Sequence, residues 1–275
     1  GELATVIANN EEDNARIQAG AAPTWSQIGT RGIRRMCVRI AAKTSTTLTI
    51  QPGLPWDLTF VGGRVERGGS FRVEKVGFED FNCEFDPANH AVTAIDVSMA
   101  INCWVYNVNV PLWQRSASNG SMLIVDNSHK FQVQHCDGVM EIGRSSDGFL
   151  QPSYVSCLAI IDCVFINWDV GLYSSGRTYH CVYAFNFALT AQTGSQSSFN
   201  LSHGSQDALI LCEGNVIGNL GIDGYHGGAS HMVMFRNWLH GTNAAQTLRG
   251  YMVAYRRFTR RILHRGNVFG KDGWN

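Results

Sequence analysis

One short run returns eight times along this chain, and it limits the possible folds more than anything else in the sequence. VGFEDFN (76–82), CWVYNVN (103–109), KFQVQHC (130–136), LAIIDC (158–163), CVYAFN (181–186), ILCEGN (210–215), HMVMFRN (231–237) and RILHRGN (261–267) are apolar-rich and close on Asn or Cys. Their last residues, Asn82, Asn109, Cys136, Cys163, Asn186, Asn215, Asn237 and Asn267, fall at intervals of 27, 27, 27, 23, 29, 22 and 30. A single such run cannot bury its apolar face alone, so a repeat of roughly 20 to 30 residues predicts coils stacked on one another, a β-solenoid. The recurrent Asn has a physical reason. At a sharp bend its amide can bond backbone groups that the strand ladder leaves unpaired, and also the Asn one coil above. Cysteine at two positions breaks that amide ladder, so there the turn must differ or a thiol must fill the space.

Few stretches hold the i, i+3, i+4 spacing of a helix; short β-branched and aromatic runs punctuated by Gly, Asn, Asp and Ser predict an all-β chain. Leucine-rich-repeat spacing is absent, as is any W-D blade signature. The segment 38–60 reads as strand, turn, strand and a PGLPWD corner, so residues 1–70 are expected to form an irregular N-terminal or capping region with a hairpin, and residues 71–275 the coils.

Lys+Arg and Asp+Glu balance at 22 each, which removes the general basic field that nucleic acid would need. No stretch approaches the roughly 20 apolar residues of a membrane helix. The expectation is therefore neither a nucleic-acid nor a membrane partner. Eight cysteines without a CxxC pair argue against a zinc ribbon or a thioredoxin-type site. Most lie beside apolar residues and read as buried free thiols, with disulfides left open by the even count.

The segments 39–59, 76–85, 100–110, 156–165, 212–237 and 260–270 together resemble pectin-lyase-like right-handed parallel β-helix proteins, in particular a bacterial group within them. The resemblance implies a single-stranded right-handed parallel β-helix, with polysaccharide lying in a long shallow groove along one face. It also implies a secreted or cell-surface location and leaves room for further domains of a longer chain. The scaffold hosts lyases, hydrolases, esterases, tailspikes and binding modules, so it does not by itself fix a function. The calcium-binding acidic clusters and arginine base of the pectate lyases have no residue-by-residue match here.

The densest polar stretch is DGYHGGASHMVMFRN (223–237). Coils stack about 4.8 Å apart, so residues distant in sequence can meet on one surface. A catalytic reading pairs Asp223 with His226 as acid and base, gives Arg236 the developing charge, and keeps His231 in reserve. His203, Glu213, Tyr225, Arg249 and Trp113 are the candidate substrate-binding residues. Arg249 would hold a uronate carboxylate, Tyr225 and Trp113 would stack on sugar rings, and Trp113 in VPLWQRSASNG reads as a surface loop residue. Trp104 and Trp238 lie in core strands and are expected to be buried. Glu213 or Asp207 with Asp223 would be the carboxylate pair of a hydrolase. The turn-forming reading of the same residues is that they satisfy backbone groups where coils bend. No cofactor is required by the sequence; calcium is left open and the metal ligands are unknown.

The expected function is thus a carbohydrate-active β-helix protein that binds an extracellular, plausibly acidic polysaccharide and, as a lyase or hydrolase, would cleave it. The alternatives are a non-catalytic carbohydrate-binding module and a tailspike, adhesin or filament subunit.

Overall fold

The computed structural model describes residues 3–8, 34–54, 64–67, 73–84, 93–113, 121–141, 148–174, 176–189, 197–203, 207–222, 229–241, 252–255 and 259–270. The described residues form strands and no helix. Three parallel faces wind around one core. Face A carries Gly77–Asn82, the first half of Ala100–Trp113, His129–Gln134, Ser156–Ile161, Tyr179–Ala184, Ala208–Glu213, Ser230–Phe235 and Arg260–Arg265, each hydrogen-bonded to the next. These strands carry the apolar part of the eight repeated runs in order. Face B carries the second half of Ala100–Trp113, then Asp137–Met140, Val164–Ile166, Phe187–Leu189, Val216–Ile217, Trp238–Leu239 and Val268–Phe269. Face C is a seven-stranded sheet from Thr93–Ser98 to Val253–Tyr255.

Strand alternation fills the interior. Val105, Val133, Ile160, Tyr183, Cys212 and Met234 occupy one register column of face A, and none is more than 3% exposed. Each such side chain contributes about 1.5–3 kcal/mol by leaving water. All eight cysteines are free and six are buried.

The corner between faces A and B is the most regular part of the chain. It always spends two residues, from His135–Cys136 to Gly266–Asn267, whereas the other two corners vary in length. The first of the two has positive φ in every coil: Asp80, Asn107, His135, Asp162, Phe185, Gly214, Arg236 and Gly266 lie between 45° and 65°. The second points inward and forms a ladder. Asn186 Nδ2 donates to Asn215 Oδ1 (3.0 Å), Asn215 to Asn237 (2.8 Å) and Asn237 to Asn267 (2.9 Å), while each amide also donates to a backbone carbonyl of the preceding coil. The same Oδ1 atoms accept the backbone N–H of Cys163, Asn186, Asn215 and Asn237. The thiols copy this pattern. Cys163 Sγ lies 3.9 Å from Val133 O and 3.3 Å from Ile161 O, Cys136 Sγ 3.8 Å from Val105 O and 3.3 Å from Gln134 O, and each sulfur faces the N–H of the residue one coil before it.

Two residues of the expected ladder are displaced. Asp137 pairs with Asn109, so Val108 and Phe81, not Asn109 and Asn82, occupy the corner position. The strand Ala100–Trp113 runs through this corner without interruption, and a valine there needs no amide partner.

The N-terminal strands form a separate antiparallel sheet ordered Leu48–Gln51, Arg34–Lys43, Leu3–Ala8, Arg64–Arg67. The first two make the hairpin expected from the sequence, closed by Thr44 and Thr47. The sheet lies along the side of the solenoid rather than over its end. Ala4, Met36 and Val38 pack on Tyr179 and Ala208, and Cys37 packs on Ile101. His129 Nδ1 donates to Ser156 Oγ (3.0 Å), which in turn donates to the Cys37 carbonyl.

Candidate functional site

The outer surface of face A changes character along the solenoid axis. Register columns run Gly77, Trp104, Gln132, Ala159, Val182, Leu211, Val233, Leu263, and Glu79, Tyr106, Gln134, Ile161, Ala184, Glu213, Phe235, Arg265. The first coils present aromatic, amide and carboxylate groups, the middle coils aliphatic ones, and the last coils arginine.

A groove of about 400 Å³ opens at the aromatic end, lined by Glu79, Asp80, Trp104, Val105, Tyr106, Gln132 and Gln134. Its floor is built by a size difference between coils. A Cβ at Gly77 would meet the Trp104 indole at 2.1 Å, so the ring lies across the glycine and donates Nε1–H to Glu79 Oε1. Tyr106 beside it is 38% exposed. Gln132 Nε2 donates to Gln134 Oε1 (2.6 Å), the Gln134 amide meets His135 Nε2 (3.1 Å), and His135 Nδ1 lies 2.8 Å from Asp162 Oδ2. The His135 ring stands edge-on to Tyr106, with centroids 5.2 Å apart. Asn107 Nδ2 donates to Asp80 Oδ1 (2.8 Å). The carboxyl of Asp137, near His135 and Asp162, is pushed up by burial and then by the Asp162 charge. The groove therefore offers two flat rings, hydrogen-bonding groups of both kinds, and a carboxylate-oriented imidazole at its rim.

Those of the sequence-nominated residues that are described lie outside this groove. Asp223, Tyr225, His226 and Arg249 fall outside the described residues. Arg236 sits at the A–B corner, its guanidinium 4.6 Å from the Phe235 ring centroid and ion-paired with Glu213, which faces outward as strand alternation predicts. His231 is on the strand that leads into this corner, five residues earlier, roughly 16 Å away along the chain. Its Nδ1 donates to Ser230 Oγ (3.0 Å) and its Nε2 accepts from Arg261 (2.7 Å), so the imidazole is neutral; partial burial, then Arg261 and Arg260, lower its pKa. His203 follows face C, its ring 5.0 Å from that of Tyr173. Asp207 is fully buried and clamps its corner, accepting from Ser174 Oγ and from the backbone N–H of Thr178 (2.8 Å) and Ser202 (2.9 Å). Burial raises its pKa against these donors, and no face is open to substrate.

Trp113 is a correction. It is 1% exposed and packs against Trp168 at 5.5 Å, because the register shifts between Gly138 and Met140 and turns the ring inward. Trp104, expected in the core, is the outward one. Its neighbours Cys103 and Val105 are buried, and alternation alone carries that signal. Trp238 is half-buried, donating to Gly270 O (2.8 Å). Among the described residues no three His, Cys, Asp or Glu side chains group as metal ligands, and no helix is long and apolar enough to cross a membrane.

No known protein family, curated protein or solved structure matches the chain.

Proposed function

We propose that this solenoid binds a polysaccharide on the outer surface of face A, with the sugar rings seated on Trp104 and Tyr106. The observation that carries this reading is the groove itself. Two outward-facing aromatic rings, Trp104 half-buried and Tyr106 exposed, line it together with amides and carboxylates, the combination that sugar recognition needs, since a pyranose has apolar faces and a hydrogen-bonding rim. Glu79 and Asp80 in the wall disfavour a uronate at this place, so the ligand here is a neutral or amino-bearing chain. Kinship with pectin-lyase-like proteins and an extracellular location belong to the same proposal.

Affinity electrophoresis against a panel of soluble polysaccharides tests it. Trp104→Ala and Tyr106→Ala are each expected to weaken retardation about tenfold, equivalent to about 1.4 kcal/mol. Retardation that survives the double substitution would place binding elsewhere, and a panel without any retarded member would sink the reading.

A second reading, cleavage of the bound chain, is favoured by one arrangement: His135 oriented by Asp162 at the groove rim. His135→Asn keeps a residue that tolerates positive φ. It would abolish product release while leaving retardation in place; turnover unchanged in this variant would exclude His135 as acid or base.

A further inference from the structure

The two ends of face A are complementary. The strands at one end, Val73–Glu74 and Gly77–Asn82, bond only to Ala100–Trp113 among the described residues; the strand at the other, Arg260–Arg265, bonds only to Ser230–Phe235. Both therefore present an edge of backbone donors and acceptors, the usual template for pairing with another chain. Apolar surface concentrates at the same two ends. Val73, Val76, Phe78 and Phe81 are exposed at the first, and Tyr255, Leu263, Val268 and Phe269 at the last coil, where Val268 reaches 59%. Among the described residues, the N-terminal sheet meets the solenoid along its side, at Ile101, Tyr179 and Ala208.

Charge distinguishes the ends. Residues 73–82 carry Glu74, Glu79 and Asp80 against Lys75, while Arg260–Arg265 carries Arg260, Arg261 and Arg265. The register of the solenoid fixes what would meet if the stack continued by one coil. Glu74 and Arg260 belong to one column, as do Glu79 and Arg265, Val76 and Ile262, and Gly77 and Leu263. Two carboxylate–guanidinium pairs and two apolar pairs thus fall in register, against one unfavourable neighbour pair, Lys75 with Arg261 at an exposed corner. Opposite charges side by side on adjacent strands are stabilising, and like charges would be the reverse.

We propose that the chain stacks head to tail on a second copy of itself, the Arg260–Arg265 edge of one protomer adding as the next strand beyond residues 73–82 of its partner. Such a contact is heterologous and does not close, so it propagates along the solenoid axis into a row of copies with a continuous face A.

Sedimentation velocity over a concentration series, with electron microscopy of the heaviest species, is the test. The wild type is expected to form end-to-end species that grow with concentration and diminish with added salt. The variant Arg260→Glu/Arg265→Glu and the variant Glu74→Arg/Glu79→Arg should each associate at least about tenfold more weakly. Mixed together they should associate again, because the reversed end of each now complements the reversed end of the other. All four positions are exposed, and thermal melts matching the wild type confirm that the variants fold. A wild type that remains monomeric throughout would overturn the proposal. So would association indifferent to both reversals, or a mixture no heavier than its parts.

Discussion

Two columns one residue apart in sequence run the length of this solenoid, and they obey different rules. The inner column, Cys136, Cys163, Asn186, Asn215, Asn237 and Asn267, repeats in chemistry. The outer one, Asp80, Asn107, His135, Asp162, Phe185, Gly214, Arg236 and Gly266, repeats only in backbone conformation. Facing inward, a side chain must satisfy N–H and C=O groups that the bend removes from the ladder, and few side chains can do so. Facing outward, the same bend asks only for a tolerable positive φ, which leaves the residue type free for other work. Fold information therefore accumulates on one column and functional variety on its neighbour.

The sharpest way to break this contrast is Asn215→Leu. It removes the acceptor for the Asn186 N–H and Nδ2 and the donor to Tyr183 O, all buried. At about 1–3 kcal/mol for each group left unpaired, a loss of roughly 3–5 kcal/mol is expected in chemical denaturation. Asn215→Cys should cost about half as much, because sulfur already occupies this column at Cys136 and Cys163 and makes the same pair of contacts. Equal losses for the two substitutions would show that the thiols are fillers, without a share in the ladder.

Histidine permits the same contrast to be drawn by pH. His135 stands outside, whereas His129 is 1% exposed and its pKa is lowered to about 4, first by burial and then by Lys130, Arg39 and His180. A depressed histidine binds fewer protons folded than unfolded, so its contribution is fully present above pH 6.5 and lost as pH falls toward 4. Over that interval the loss amounts to about 3 kcal/mol. Because His129 reaches the N-terminal sheet through Ser156 and Cys37, acid should loosen that sheet first. Urea midpoints between pH 7 and pH 4 (roughly the two limits of the linkage) should fall in the wild type and flatten in His129→Gln. A parallel fall in both proteins would assign the acid sensitivity to another group.

The inner column is also why the architecture was legible. Six of the eight run ends mark true corners because the A–B turn always spends two residues, while inserts are absorbed at the other corners. Asn82 and Asn109 mislead by one position, since an unbroken strand crosses that corner and no residue type announces it. The groove was not legible as a site. Glu79, Trp104, Tyr106 and Gln132 come from three strands, and only their stacking makes them neighbours. Trp113 took the inner face because a shift in register decides which face a ring takes, and that leaves no mark in composition, whereas the outward place of Trp104 was there to read in the alternation with Cys103 and Val105. In the polar stretch 223–237, residues 223–228 lie outside the described residues, while His231 and Arg236 take their partners Arg261 and Glu213 from neighbouring coils.

A milder break targets the outer column's backbone. Gly214 has φ of +64°, and a Cβ there would lie 2.7 Å from the Phe185 ring. Gly214→Ala is expected to cost about 1–2 kcal/mol, partly from the left-handed conformation and partly from displacing the ring. Phe185 is 57% exposed and free to move, so adding Phe185→Ala should recover the steric share and leave the conformational one. Thermal melts of the single and double variants separate the two. If the second change recovers nothing, the ring is not what the methyl group meets.

The smallest effect belongs to the Arg236–Glu213 pair, a contact between two residues nominated from sequence for separate roles. Arg236 is 60% exposed in its side chain, so solvent and salt screen the pair and the guanidinium rests partly on Phe235. Glu213→Gln should change stability by less than about 1 kcal/mol, and added salt should shrink the difference between variant and wild type. An effect of several kcal/mol, insensitive to salt, would mean that this part of the outer column is held as tightly as the inner one. The division between a column that specifies the fold and a column released from it would then fail at the arginine-rich end.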